Sequence, residues 1–261
     1  MEINQYLKFA ESISNKTSKE LLKHFGKTDT SLRGGSLKTT YDFIADKIIK
    51  KGIEKNFPTH SYITEETGFV KKDNDYLWVI DPLDGTGNFV NNNPLFAVSI
   101  ALWIKGQPVL GIMDAPYLKE RYIAIKDKGA WMINLKTKKK IKVRVSQTKD
   151  LSKSYIITCE GGEKNKKRIA NIFHQIYLKV RELRKLGSAA IECAWVGLGR
   201  ADAYYTTNTY FWDIGAGVLF VKEAGGKILH FNDQPYKWDE FKPNKNYNLV
   251  VSNGKIKMPK I

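Results

Sequence analysis

Two aspartates three positions apart, Asp81 and Asp84, sit in the segment Asp81-Pro-Leu-Asp-Gly-Thr86, directly after the apolar run Tyr76-Leu-Trp-Val-Ile80. That run reads as a buried strand. Its exit therefore removes two neighbouring carboxylates from bulk water, where repulsion and desolvation oppose ionisation unless a cation joins them. A divalent ion is the simplest partner. Pro82 fixes its own φ, and Gly85 can take backbone angles closed to other residues. Such a turn can aim both carboxylates and the Leu83 carbonyl into one pocket, and oxygen-only ligation suits Mg²⁺. Gly85-Thr86-Gly87-Asn88 then reads as the start of a short helix or nest, whose free N–H groups would hold an anion such as phosphate beside the metal. Asp, Gly and Thr are also common turn formers, so the segment alone does not separate a site from a purely structural turn.

Three further acidic segments bear on the choice. Glu65-Glu66 lies upstream, at the end of an Ile63-containing run; Asp213 follows Trp212 at the head of an apolar helix-like stretch; Asp42 follows Thr39-Thr-Tyr at the start of another. Singly, these read as a solvated acidic pair and two helix caps. Together with the phosphate-suited Gly-Thr, a common divalent cluster accounts for all four.

The elements that must position these residues follow from apolar spacing. Ile3, Leu7, Ala10, Ile13, Leu21, Leu22 and Phe25 predict a long first helix ended by Gly26. A loop around Arg33-Gly34-Gly35 leads to a second helix from Asp42, closed by Pro58. From Phe96 to about Val145, short β-like runs alternate with turn signals and predict an antiparallel meander. Beyond Asp150, strands and helices alternate, with helices expected at 166–178, 189–198 and 214–224. The chain thus divides into an N-terminal α+β half, 1–147, and a C-terminal α/β half, 148–261, with a ligand cleft between them.

Composition narrows the class. The 261 residues are 42% hydrophobic and 27% charged, with 20 Gly and 8 Pro, which excludes disordered, collagen-like and low-complexity chains. Cys159 and Cys193 form neither a disulfide scaffold nor zinc-finger spacing, and a reducing cytoplasm is expected. No export signal is read at Met1-Glu-Ile-Asn. Leu95–Ile104 is about half of what a spanning helix needs, so no membrane embedding is expected. The net charge of +16 stands out. It fits either a polyanion-binding surface or a Lys-rich, solvated one around small anionic substrates. Lys136 to Arg144, the densest basic tract, has no interleaved aromatics as base-stacking platforms would require, which favours the solvated reading. The four histidines lack ligand spacing.

Asp81-Pro-Leu-Asp-Gly-Thr86 with Asn88-Phe89, preceded by Glu65-Glu66 and followed by Trp212-Asp213-Ile-Gly-Ala-Gly217, resembles the inositol monophosphatase family of Mg²⁺-dependent, lithium-sensitive phosphatases. Phe57-Pro-Thr-His-Ser-Tyr-Ile, Pro94-Leu-Phe-Ala-Val-Ser-Ile-Ala and Gly187-Ser-Ala-Ala are similar to family segments in the same order, so the resemblance runs nearly end to end. It implies a layered αβαβα sandwich of the inositol monophosphatase/fructose-1,6-bisphosphatase type, usually as a homodimer. It implies that Glu66, Asp81 and the Leu83 carbonyl bind one Mg²⁺, that Asp81, Asp84 and Asp213 bind a second, and that a third, weaker ion rests on Glu66 and, through water, Asp42. Thr86, paired with Asp42, would orient the attacking water. Asp84, Gly85, Thr86, Gly187, Ser188, Ala189, Thr206 and Asp213 would face the substrate. Thr206 stands where inositol phosphatases carry a glutamate that contacts the ring, and Arg33 is the nearest counterpart of the family's loop lysine. A small phosphorylated metabolite is therefore expected as substrate: an inositol monophosphate, or alternatively 3′-phosphoadenosine 5′-phosphate, fructose-1,6-bisphosphate or histidinol phosphate. A haloacid-dehalogenase-type phosphatase fits less well, because its aspartates are two positions apart and near the chain start. A basic RNA- or protein-binding protein that keeps the fold, with weak nucleic-acid binding through the basic surface, is the reading from a different class.

Overall fold

The computed structural model describes residues 3–27, 30–33, 36–159 and 166–259. Helix α1 (Ile3–His24) buries Tyr6, Ala10, Ile13, Thr17 and Leu21, a stripe at helical spacing, and packs along α2 (Thr40–Asn56). Between them lies a hairpin of β1 (Thr30–Arg33) and β2 (Ser36–Thr39), where the sequence suggested only a loop; Gly34 and Gly35 lie outside the described residues.

An eight-stranded sheet follows. Its strands are β3 (His60–Thr64), β4 (Gly68–Val70), β5 (Asp73–Asp84), β6 (Ala97–Ile104), β7 (Gln107–Ala115), β8 (Glu120–Ile125), β9 (Gly129–Asn134) and β10 (Lys140–Lys142), in the order β10-β9-β8-β7-β6-β5-β3-β4. From β5 to β10 every pairing is antiparallel, the expected meander, while β3 pairs parallel to β5. Strands β5 and β6 are covered on both faces, so their sequences read as unbroken apolar runs rather than alternating ones. The five residues Thr86–Val90 form the short helix α3.

The second sheet has five strands, in the order β12-β11-β13-β15-β14: β11 (Tyr155–Thr158), β12 (Glu182–Arg184), β13 (Ala203–Tyr210), β14 (Lys227–Leu229) and β15 (Asn246–Ser252). Its helices are α4 (Lys166–Tyr177), α5 (Ala189–Gly197), α6 (Phe211–Ile214) and α7 (Gly217–Glu223). Helices α5, α6 and α7 are packed between the two sheets within one continuous core, whereas α4 buries Ile172 and Ile176 on the far face of the five-stranded sheet. The layers are thus α1/α2, eight strands, α5/α6/α7, five strands, α4: an αβαβα sandwich.

Two elements depart from expectation. Strand β5 does not end at Asp81-Pro82 but continues to Asp84, with its register to β6 broken between Asp81 and Asp84. That irregularity lets Pro82 sit in the strand without a ladder donor and re-aims the carboxylates. The single helix expected over 214–224 is two, split at Gly215-Ala216. There β7 comes so close that a Cβ on Gly111 would lie 2.9 Å from the Ala216 carbonyl oxygen.

Candidate active site

A cleft of 660 Å³ opens where the C-terminal ends of β3 and β5 face α3, α5 and the end of β13. Asp81 is buried at the wall of the cleft, and its Oδ1 accepts a hydrogen bond from the Leu83 amide at 3.1 Å, which holds the turn. Gly85 carries the chain into α3 at φ +90°; a Cβ there would stand 2.9 Å from the Leu95 carbonyl oxygen and 3.2 Å from that of Gly187, so only glycine fits. Thr86 Oγ1 then lies 2.8 Å from Asp42 Oδ1 and 3.1 Å from the Leu83 carbonyl, and its proton goes to one at a time.

Asp42 does two jobs. As the third residue of a capping box, its Oδ2 accepts from the Thr39 amide at 2.7 Å and the Thr39 hydroxyl at 2.6 Å, while Thr39 caps α2 in return. The box aims Oδ1 across at Thr86, so the helix-cap reading and the site reading are both true of this residue.

Asp84 reaches into the opposite half of the molecule. It accepts from the Ser188 hydroxyl, the Ala189 amide at 3.1 Å and the Ala190 amide at 2.8 Å, which fixes the start of α5. Ser188 and Ala189 line the cleft, with the serine hydroxyl and the Ala189 amide committed to Asp84. Asp213 sits one turn into α6, not at the head of a long helix, and its Oδ2 accepts from Thr209 Oγ1 at 2.8 Å and the Tyr210 amide at 2.7 Å.

Burial and crowding set the protonation of this group. Desolvation drives Asp81 well above the usual carboxylate range, and the charges of Glu65, Asp84, Asp213 and Asp42 push the same way. Burial, then the Asp213 charge, lift Glu65 to about 8. Burial takes Asp213 to about 7 and Asp84 to about 6, against the hydrogen bonds each accepts. Burial also raises Asp42, outweighing its bonds from Thr39 and Thr86.

With this geometry in place, likeness to known proteins becomes informative. Residues 2–261 match the sequence signature described as the inositol monophosphatase family. The chain belongs to that family. It is 33% identical to a Pasteurella multocida protein named "Nus factor SuhB", over 88% of this chain and 86% of the relative. It is 34% identical to a Thermotoga maritima protein named "fructose-1,6-bisphosphatase/inositol-1-monophosphatase", over 96% and 92% respectively. The crystal structure of extragenic suppressor protein suhB from Bartonella henselae superposes with a TM-score of 0.86 at 28% identity, covering 96% of this chain and 95% of that one. The layered sandwich is thus the fold of the inositol monophosphatase family.

One residue drawn from the family resemblance needs correction. The carboxylate that lines the cleft and shares its field with Asp81 and Asp213 is Glu65, not Glu66. Glu65 and Glu66 are consecutive in the turn after β3, and both stand by the Lys38 ammonium, which is 3.8 Å from Glu65 Oε1 and donates to Glu66 Oε2 at 2.9 Å; of the two, only Glu65 lines the cleft. Burial raises the Glu66 carboxyl while Lys38 holds it down. The Arg33 side chain lies outside the described residues.

Sequence reasoning missed three other participants. Asn88 donates from Nδ2 to the carbonyls of Leu95 at 2.6 Å and Leu186 at 2.7 Å, tying the α3 loop to the loop before α5. Glu192, on α5, accepts from the amides of Leu186 and Gly187 at 3.1 and 3.0 Å, and burial lifts its carboxyl to about 8. Lys38 is the third; a lysine just ahead of the Thr39 cap was its available signal. At the far end the cleft is lined by Thr206, Thr207, Asn208 and Thr209, all uncharged.

The residues suit Mg²⁺. Every candidate donor is a carboxylate or carbonyl oxygen, and Asp81 is buried among carboxylates, an arrangement that a divalent ion relieves. Among the described residues, no three acidic, histidine or cysteine side chains are grouped closely enough to hold a metal ion as they stand.

Proposed function

We propose that the protein is a Mg²⁺-dependent phosphomonoesterase acting on a small phosphorylated metabolite. The supporting observation is one cleft lined by Glu65, Asp81, Asp84 and Asp213 together with the Gly85-Thr86 turn, in which buried Asp81 feels the charges of the other three and of Asp42. Glu65, Asp81 and the Leu83 carbonyl would hold one ion, and Asp81, Asp84 and Asp213 a second. When bound, such ions supply easier deprotonation of a water, charge balance for the phosphate oxygens and stabilisation of the leaving alkoxide.

The chain's own residues do the rest. Thr86, donating to Asp42, keeps its lone pairs free to accept a hydrogen bond from the attacking water. Asp42, lifted by burial toward neutrality, can take up a proton relayed through that hydroxyl. The Gly85 and Thr86 amides would position the phosphate for in-line attack.

The uncharged Thr206–Thr209 end suits the hydroxyls of a sugar or polyol phosphate better than a cationic substrate, which favours inositol monophosphate or fructose-1,6-bisphosphate over histidinol phosphate. The name of the Thermotoga maritima relative supports the same two substrates. Phosphate release is measured with Mg²⁺ on inositol monophosphate, fructose-1,6-bisphosphate, 3′-phosphoadenosine 5′-phosphate and histidinol phosphate, then repeated with Li⁺. Turnover of at least one, lost without Mg²⁺ and inhibited by lithium, is expected. Inactivity on all four sinks the reading. Sedimentation of the same preparation tests the homodimer.

A second reading, an added binding role, is supported by the name "Nus factor SuhB" carried by relatives and by the exposed basic edge of the first sheet. Lys136–Lys140 are exposed there, and Lys140 Nζ lies 4.6 Å from the centre of the Trp131 ring, an aromatic brought in from β9. A Lys→Glu set across Lys136–Lys142 should then weaken salt-sensitive RNA retention and leave hydrolysis unchanged. No helix among the described residues is long and apolar enough to cross a membrane.

A further inference from the structure

Lys38 reaches the edge of the cleft through Glu65, which lines it, and the hydrolysis above has no use for its charge. It immediately precedes Thr39, whose hydrogen bonds with Asp42 anchor the backbone at that point. From this fixed origin its ammonium enters the acidic cluster from outside. Nζ is 2.9 Å from Glu66 Oε2 and 3.8 Å from Glu65 Oε1, and the lysine side chain is only 16% exposed. The Asp42 charge acts on it as well.

Glu66 is the telling partner. Its side chain is 2% exposed, and Oε2 takes the ammonium while the buried Oε1 has no hydrogen-bond partner among the described residues. A carboxylate half served in this way is costly, because each buried unmet acceptor keeps its desolvation penalty. Such an oxygen, on a carboxylate that feels the charges of Asp42 and Asp46, would be a natural ligand for an ion were the ammonium absent.

A single charge on a tether is enough to deny that position. Six carboxylates (Glu65, Glu66, Asp42, Asp81, Asp84 and Asp213) converge here, and two divalent ions plus one ammonium offset most of their charge. A further divalent ion on Glu65 and Glu66 would have to sit within a few ångströms of the ammonium, where like-charge repulsion opposes it.

We propose that Lys38 is a resident counter-cation: its ammonium fills the outer end of the acidic cleft, bridging Glu66 and Glu65, and so limits the number of divalent ions the cleft accepts. This rests on the reading that the cleft binds divalent ions at all. The lysine acts as a positioning residue, since it holds Glu66 and leaves Asp81, Asp84 and Asp213 to the inner ions.

The test is a Mn²⁺ titration of the full chain, with bound ion counted by electron paramagnetic resonance of free Mn²⁺ and by calorimetry. The proteins compared are wild type, Lys38→Met, Lys38→Arg, and Lys38→Met combined with Glu66→Gln. Wild type should bind no more than two ions, and Lys38→Arg should match it. Lys38→Met should bind one more, with at least a tenfold higher affinity for the outermost ion. The double variant should return to the wild-type count, because the vacated carboxylate is gone. A third ion bound by wild type overturns the proposal even if Lys38→Met fails to fold. Unchanged counts and affinities in Lys38→Met overturn it too, as does an extra ion that persists in the double variant. No Mn²⁺ on wild type defeats the underlying metal reading instead, so the two failures are told apart.

Discussion

Two buried acidic regions lie on the eight-stranded sheet, and they answer burial in opposite ways. Asp114 on β7 is fully enclosed, and Arg121 on β8 grips it with two hydrogen bonds of 2.6 Å, Nε to Oδ1 and Nη2 to Oδ2. This forked pair joins neighbouring strands beneath α1, where Arg121 Nη2 also reaches the Glu11 carbonyl at 3.4 Å. Asp81 on β5 is also buried but lies at the cleft among other acids; burial first, and their charges second, push it above the usual carboxylate range. The first region is framework: charge matched internally and closed to chemistry. The second stores repulsion that an incoming cation relieves, and unmatched burial of this kind distinguishes a working site from a structural ion pair.

Removing one charge from each region sharpens the contrast. Asp81→Asn should lower phosphate release by about a thousandfold or more, equivalent to roughly 4 kcal/mol of transition-state stabilisation. The same change should raise the melting temperature of the metal-free protein, since one repelling carboxylate is gone. Arg121→Met should do the reverse, costing about 3–5 kcal/mol of stability by urea unfolding because Asp114 is left buried and unpaired. Equal destabilisation by both substitutions would erase the distinction.

A smaller effect is expected from pH. Glu65, Asp213 and Asp84 hold protons up to about 8, 7 and 6 in the folded chain, whereas the unfolded chain releases them near 4. Between those limits the native state binds more protons, so the cluster's contribution to metal-free stability is full below about pH 4 and is lost progressively as pH rises toward 8. Saturating Mg²⁺ should flatten that slope, and thermal melts across the range with and without the ion measure it. The smallest change belongs to Glu192→Gln. With its carboxyl lifted to about 8, Glu192 is already neutral near pH 7, and glutamine keeps an acceptor for the Leu186 and Gly187 amides. A stability change under about 1 kcal/mol is expected, against a larger loss for Glu192→Ala.

Much of this arrangement was legible in the chain. The buried strand, the Asp-Pro-Leu-Asp-Gly-Thr turn and the short helix after it are local features, each set by residues within a dozen positions. The meander was equally plain, because turn signals punctuate it. What stayed hidden depends on distant contacts. Nothing in Glu65-Glu66 tells which carboxylate lines the cleft and which is hydrogen-bonded by Lys38, 28 positions before Glu66. The break at Gly215-Ala216 answers to the close approach of Gly111 rather than to local propensity. Ser188 looked free to meet substrate until Asp84, 104 positions earlier, was seen to take its hydroxyl.

That last bond carries a mechanical consequence. Asp84 is anchored in the eight-stranded sheet, yet its carboxylate is fastened to the first turn of a helix in the core shared by both sheets. Whatever draws those oxygens inward also pulls on that helix and on the strands behind it. If the cleft takes up divalent ions as proposed, filling it would tighten a seam between the two sheets, and a chelator should then loosen the molecule well beyond the place where it acts.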